Sequence, residues 1–305
     1  MKFKGVIPPV VTPLTQDGEF DEASYERSIN RMIDAGVGGL FVLGSSGEVV
    51  FSTDERRKQI IEAAVRIVDH RVPVLVGCID TTSPRVIEHA KVAKELGADA
   101  IVATAPFYAL IGPDEIERHF RLIHEAVDLP LFAYDIPVCV RYKLDPHMVL
   151  RLARDGVLAG VKDSSGDDVS FRQLSLMREE QGIEISLLTG HEVAVDGAYM
   201  SHADGSVPGL GNVDPVVYVE QWKAAEAGDW AKVQELQDHA ARLMRITSAP
   251  VGVTGFAAGV GAFKTALMLL GVFDTNAMPE PTVALEGDNV ERVAQILREC
   301  GLLKA

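Results

Sequence analysis

The chain has 305 residues, of which 47% are hydrophobic and 24% charged, close to globular averages, so a disordered chain is excluded. Its formal net charge of −15 argues against nucleic acid and against an anionic membrane surface, since both need clustered Lys and Arg. A small anionic metabolite stays open, because one local cationic pocket overrides the global field. The N-terminal run holds Pro8, Pro9 and Pro13 and no small-residue cleavage site, which does not read as a signal peptide. The spacing of short apolar runs predicts strands at Val6–Val11, Gly39–Leu43, Pro73–Gly77, Ala100–Ala103, Leu131–Tyr134, Ala159–Lys162, Ser186–Thr189 and Ser206–Val207. Most are apolar throughout, as strands covered on both faces are. Helices are predicted between them. Asp21–Ala35 carries Tyr25, Ile29, Met32 and Ile33 on one face, and Thr53 caps Asp54–Val68. Ser83-Pro84 opens a helix to Leu96 that Gly97 stops, and Gly112-Pro113 opens another to about Val127. Asp145-Pro146 and Asp167–Ser170 open two more. From Pro215 onward only helical stretches remain, at about 215–227, 229–246, 256–270 and 287–300.

Eight strand–helix units and a helical tail predict a (β/α)8 TIM barrel over 1–214 with a C-terminal helical extension over 215–305. The alternative, an open doubly wound sheet, carries a Gly-rich turn right after its first strand. Here Gly36, Gly38 and Gly39 precede a strand instead, and there is no P-loop. The three cysteines, Cys78, Cys139 and Cys300, have no CxxC spacing, so a cytoplasmic home is expected. No HxH or HExxH occurs, and no metal is expected.

In such a barrel the chemistry sits where strands end at their C-terminal side. The polar residues there are Thr12, Ser45, Ser46, Glu48, Tyr108, Tyr134, Asp135, Lys162, Asp163, His191 and Glu192. Lys162 ends an apolar run. A lysine there either faces the mouth with a lowered pKa, as a nucleophilic amine, or is structural and paired with Asp163 or Asp167. A neutral amine adds to a ketone and, after loss of water, gives a Schiff base. Tyr134 ends the preceding strand. Its hydroxyl either shuttles protons or is anchored at the edge of the core. Gly44-Ser45-Ser46-Gly47 is either a plain turn or a cradle whose N–H groups approach a carboxylate. Ser46 is a candidate proton relay to the tyrosine.

Taken together, Gly5–Leu14, Gly44–Glu48, Ala105–Tyr108, Tyr134–Pro137, Gly160–Asp167 and Lys264–Gly271 make the chain resemble, over essentially its whole length, the dihydrodipicolinate synthase / N-acetylneuraminate lyase family of Schiff-base-forming aldolases. The resemblance implies a (β/α)8 barrel with extra helices, a dimer-of-dimers homotetramer, no cofactor, and pyruvate or another 2-keto acid as substrate. It implies that Lys162 is the imine lysine and Tyr134 the proton shuttle, and that Ser45 and Ser46 hold the pyruvyl carboxylate and relay protons. It further implies that Tyr108 crosses the tight-dimer interface and that the Val207 carbonyl touches the keto acid. Where dihydrodipicolinate synthases carry an arginine for aspartate semialdehyde this chain has Cys139, with Arg141 two residues on. It has Asp135 in place of the usual asparagine. Losing a bidentate carboxylate clamp favours another aldehyde. With Thr12, His191 and Glu192 as further candidate contacts, the expectation is aldol cleavage or condensation of a 2-keto-3-deoxy sugar acid. The alternatives are the synthase reaction with Arg141 substituting, a keto-acid dehydratase, and a catalytically silent keto-acid sensor. A metal-dependent aldolase is a further contrast, which loss of activity with a chelator would reveal.

Overall fold

In the computed structural model, which describes residues 3–304, the apolar runs become eight short parallel strands. They are β1 Gly5–Val6, β2 Leu40–Val42, β3 Val74–Gly77, β4 Ala100–Thr104, β5 Leu131–Asp135, β6 Gly160–Asp163, β7 Ser186–Thr189 and β8 Gly205–Ser206. Their ladder order is β1-β8-β7-β6-β5-β4-β3-β2. Helices α1 Glu22–Ala35, α2 Asp54–Val68, α3 Ser83–Glu95, α4 Pro113–Ala126, α6 Pro146–Arg154 and α7 Asp168–Glu180 follow successive strands, with a four-residue α5, Pro137–Val140, ahead of α6. After β7 comes α8, Val195–Met200, and after β8 come α9 Pro215–Glu226, α10 Trp230–Leu243, α11 Gly255–Leu269 and α12 Asp288–Glu299. The helix starts follow their caps: Asp21, Thr53, Asp145, Asp167 and Asp214 each accept from a first-turn N–H. The short α5 and α8 carry no periodic signal in the sequence, being too brief for a 3.6-residue repeat to register. Helix α9 packs against β1, α1 and α10, so it stands in the eighth helix position of the ring and also opens the C-terminal helices.

The ring closes between β1 and β2, which excludes an open sheet. The predicted first strand, Val6–Val11, forms a regular ladder only over Gly5–Val6, because Pro8 and Pro9 have no N–H to donate. The chain stays extended beyond them. Phe41 N–H donates to Pro8 C=O at 3.0 Å and Val10 N–H to Phe41 C=O at 2.8 Å, with Pro9 and Phe41 as a parallel bridge. On the other side Asn212, fully buried after β8, replaces the missing ladder. Its amide donates to Pro9 C=O at 2.9 Å and its oxygen accepts from Val11 N–H at 3.0 Å. The loop after β2 folds back closely: a Cβ on Gly77 would lie 1.9 Å from the Leu43 carbonyl oxygen, so only glycine fits that point of β3.

A buried ion pair ties the C-terminal helices to the same loop. Lys264 of α11 donates to Glu48 Oε2 at 2.7 Å and to Ala277 C=O at 2.9 Å. Both side chains are within 3% of complete burial. Burial pushes the Glu48 carboxyl up to about 7 and the Lys264 amine down, each held back by the other's charge. The second Glu48 oxygen, Oε1, has no hydrogen-bond partner among the described residues.

Two stability effects are expected. Asn212→Ala strands the Val11 N–H and Pro9 C=O and costs about 1–3 kcal/mol, read as a lower urea midpoint. Lys264→Met leaves the Glu48 carboxylate buried without its cation and costs roughly 3–5 kcal/mol at neutral pH. The sign of its pH dependence follows from the raised Glu48 pKa. Protonated Glu48 carries no charge, so the deficit shrinks as pH falls toward the ordinary carboxylate range and grows as pH rises through about 7. Thermal midpoints of parent and variant across that range measure it.

Candidate active site

Strand pairing sets the centre of the site. Tyr134 of β5 and Lys162 of β6 are register partners, and Thr104 of β4 pairs with Tyr134 on the other side. Register partners on parallel strands point to the same face, so these side chains share one layer at the C-terminal end of the barrel. The Lys162 amine lies 4.0 Å from the centroid of the Tyr134 ring and 5.0 Å from that of Phe41. Lys162 is 5% exposed and Tyr134 3%. Gly190, just after β7, makes room for this arrangement. A Cβ there would stand 3.2 Å from Lys162 Cε and 2.0 Å from Ser164 Oγ.

The two carboxylates that could have made Lys162 structural are engaged elsewhere. Asp163 receives the Ser165 N–H at 2.8 Å and lies 3.4 Å from the Lys143 amine, while Asp167 caps α7 through the Ser170 N–H at 2.9 Å. Among the described residues no carboxylate forms an ion pair with Lys162.

The loop Gly44–Glu48 brings hydroxyls to the tyrosine. Ser45 Oγ and Tyr134 Oη are 3.5 Å apart, at the outer limit of a hydrogen bond. Ser46, expected as the relay, points elsewhere: its Oγ would be 3.3 Å from a Cβ on Gly209, beside Glu192. The turn rotates successive side chains apart, so Ser45 is the neighbour of Tyr134 and Ser46 faces the loop after β8. Thr12 is buried and donates to Gly47 C=O at 2.8 Å, which holds this loop from below. Val207 follows β8, is buried, and donates its N–H to Thr189 C=O at 2.7 Å.

Glu192 is fastened at the start of the helical turn Gly209–Asn212. Its carboxylate accepts from Leu210 N–H at 2.6 Å and from Gly209 N–H. Burial pushes this carboxyl above the usual range, against those two N–H groups and the Lys162 charge. Its backbone carbonyl accepts from Tyr218 and Gln237, both at 3.2 Å. His191 is half-buried, with Nδ1 3.5 Å from Asp168. Of the two, Glu192 is near enough to Lys162 to feel its charge, while the His191 side chain meets Asp168 of α7.

Three residues considered for the site are exposed to solvent. Tyr108 is 96% exposed with φ of +73°, a strained backbone for a bulky residue. Arg141 is exposed, also left-handed at φ +56°, and caps the short α5. Cys139 is exposed. Burial by its surroundings pushes its thiol up, and the Lys162 charge pulls it back.

Sequence reasoning missed Lys143, which forms ion pairs with both Asp135 and Asp163. A signal was present. Asp135 and Asp163 each follow a residue singled out for the mouth, so on paired strands both turn outward together and need a cation between them. The role of Gly209 and Leu210 as donors to Glu192 was also missed, since backbone N–H groups leave no mark in residue types. Among the described residues no three His, Cys, Asp or Glu side chains gather as metal ligands would.

Comparison with known proteins places this architecture. The model of the dihydrodipicolinate synthetase family matches residues 2–300. A 4-hydroxy-tetrahydrodipicolinate synthase of Phenylobacterium zucineum is 31% identical over 302 residues, 99% of this chain and 98% of that one. YagE of Escherichia coli, named a putative 2-dehydro-3-deoxy-D-gluconate aldolase, is 34% identical over 232 residues, 75% of this chain and 76% of its own length. The crystal structure of YagE in complex with pyruvate superposes with a TM-score of 0.92 at 29% identity, covering 98% of this chain and 99% of that one. A dihydrodipicolinate synthase structure from Bacteroides thetaiotaomicron gives 0.91 at 31% identity, with 97% and 98% covered. Matches of this extent in both sequence and fold make the chain a member of the dihydrodipicolinate synthetase family, an enzyme among lyases and aldolases.

Proposed function

We propose that the protein is a class I aldolase that forms a Schiff base between Lys162 and a 2-keto acid and cleaves or makes the C3–C4 bond of a 2-keto-3-deoxy sugar acid. The observation that carries the reading is a lysine amine enclosed in the barrel mouth, over the ring of Tyr134, with no carboxylate paired to it among the described residues. The Lys162 amine adds to C2 of the keto acid, and the carbinolamine loses water to give an iminium. Tyr134 takes the C4 hydroxyl proton, the C3–C4 bond breaks, and its electron pair moves into the iminium as an enamine. The aldehyde leaves. C3 is then protonated, and water releases pyruvate and the free lysine. Ser45 Oγ, near Tyr134 Oη, supports a proton path out of the mouth. The N–H groups of the Ser45–Ser46 turn, with Ser46 Oγ, suit the C1 carboxylate.

The substrate side rests on Cys139, Glu192 and His191. No cation stands at Cys139, and Arg141 is exposed on a left-handed residue beyond it. Glu192, near enough to Lys162 to feel its charge, and His191 beside it in sequence suit hydroxyl groups. Condensation of pyruvate with aspartate semialdehyde is a second reading, favoured by relatives of 31% and 30% identity named as synthases. The exposed, strained Tyr108 supports a symmetric assembly in which it reaches a second copy's site, as in a dimer-of-dimers homotetramer. Among the described residues no helix is long and apolar enough to cross a membrane, and a cytoplasmic location completes the proposal.

Incubation with pyruvate and borohydride is expected to add to the intact protein the mass of one pyruvic acid less one oxygen atom. Lys162→Ala is expected to show no adduct and to lose turnover by roughly three orders of magnitude or more. Turnover retained in that variant removes the mechanism. For substrate, kcat/KM on a 2-keto-3-deoxy sugar acid is expected to exceed that for pyruvate with aspartate semialdehyde by about tenfold or more, the scale of a lost charged hydrogen bond. The reverse order selects the synthase.

A further inference from the structure

On the outward side of β5 and β6, directly behind Tyr134 and Lys162, the next residues Asp135 and Asp163 are also register partners. They are 1% and 5% exposed. One oxygen of each is taken by backbone: Leu144 N–H donates to Asp135 Oδ1 at 3.2 Å, and Ser165 N–H to Asp163 Oδ1 at 2.8 Å. The other oxygens meet the Lys143 amine, in direct contact with Asp135 and 3.4 Å from Asp163. A further bond from Ser164 N–H to Asp135 C=O, at 2.8 Å, joins the two strand ends. One cation from the loop after β5 therefore spans the tips of both strands that carry the reacting side chains.

We propose that Lys143 is a positioning residue for the imine chemistry: by neutralising two paired strand-end carboxylates it keeps Tyr134 and Lys162 in one layer and fastens the loop bearing Cys139 and Arg141 beside the mouth. This rests on the aldolase reading of Lys162. Two buried carboxylates side by side repel strongly where water is excluded. Without Lys143 either the strand tips separate or one aspartate takes a proton. A displacement of about 1 Å at reacting groups is enough to cost on the order of a hundredfold in rate. The groups facing Asp135 are Lys143 and Tyr142 of its own loop and Asp163 of the next strand. Burial, with Asp163, raises the Asp135 pKa to about 6 against the pull of Lys143. Burial works against the Lys143 charge as well, but the two aspartates hold its pKa above the ordinary lysine value. Protonation of Asp135 as pH falls through about 6 removes one of the two repelling charges, so the need for Lys143 is greatest above that pH.

The test compares the parent, Lys143→Met and the double variant Asp135→Asn/Lys143→Met. Each is read for the rate of borohydride-trapped pyruvate adduct, kcat and KM across pH 5–9, and thermal midpoint. Lys143→Met is expected to lose about tenfold or more in trapping rate and kcat above about pH 7, to change KM less, and to regain part of that loss as pH falls and Asp135 takes a proton. The double variant, which removes the uncompensated charge, is expected to recover to within roughly threefold of the parent and to show no such gain at low pH. A parent-like rate and pH profile in Lys143→Met overturns the proposal. So does a double variant as slow as the single one. Should Lys143→Met fail to fold, the double variant decides alone: recovery supports the proposal, and a slow or unfolded protein overturns it. Absence of an adduct in the parent itself sinks the aldolase reading instead. In that case the thermal midpoints still decide the charge pairing, because the double variant must regain what the single one loses.

Discussion

Closing eight very short strands into a ring is the constraint on which everything else rests, and it is hardest along the first strand, which must join β2 on one side and β8 on the other. Two prolines stand there and remove the donors that a ladder would use. The chain meets the shortfall with one side chain: Asn212 offers an acceptor to Val11 N–H and a donor to Pro9 C=O, standing in for a strand neighbour. That same residue ends the turn whose first N–H groups hold Glu192. The first strand and the rim of the mouth are therefore held by one short turn, Gly209–Asn212.

Three buried or half-buried lysines show how surroundings decide what an amine does. Lys264 meets one carboxylate and a carbonyl and acts as a structural cation. Lys143 is shared by two aspartates and stays charged. Lys162 meets two aromatic faces and no paired carboxylate among the described residues. An ammonium over a ring is stabilised by about 0.5–2 kcal/mol, so Lys162 is held by ring faces and packing where the other two are held by carboxylates. The proposed role of Lys162 rests on the absence of a paired carboxylate among the described residues as much as on the place of the lysine.

Much of this was legible in the sequence. Strand runs and helix caps are local signals, and the helices opened by Asp21, Thr53, Asp145 and Asp167 begin where those side chains predict. The spacing of Tyr134 and Lys162 at the ends of adjacent strands pointed to one layer, and the register agrees. Other features depend on contacts far apart in the chain. That Ser45 rather than Ser46 adjoins Tyr134 is set by the twist of a four-residue turn, which residue types do not encode. The first strand read too long because apolar character continues through prolines that cannot pair. Lys143 lay in a loop without periodicity, and only the pairing of two aspartates across strands gives it meaning.

The pair formed by Glu48 and Lys264 joins residues 216 positions apart. During synthesis the chain leaves the ribosome from its N-terminus, so the loop holding Ser45 and Ser46 emerges long before the helix that secures it. The nascent barrel therefore carries a carboxyl group with no cation, and it stays protonated or solvated until the last quarter of the polypeptide arrives. The loop that carries Ser45 and Ser46 is therefore secured only once helix α11 has been made.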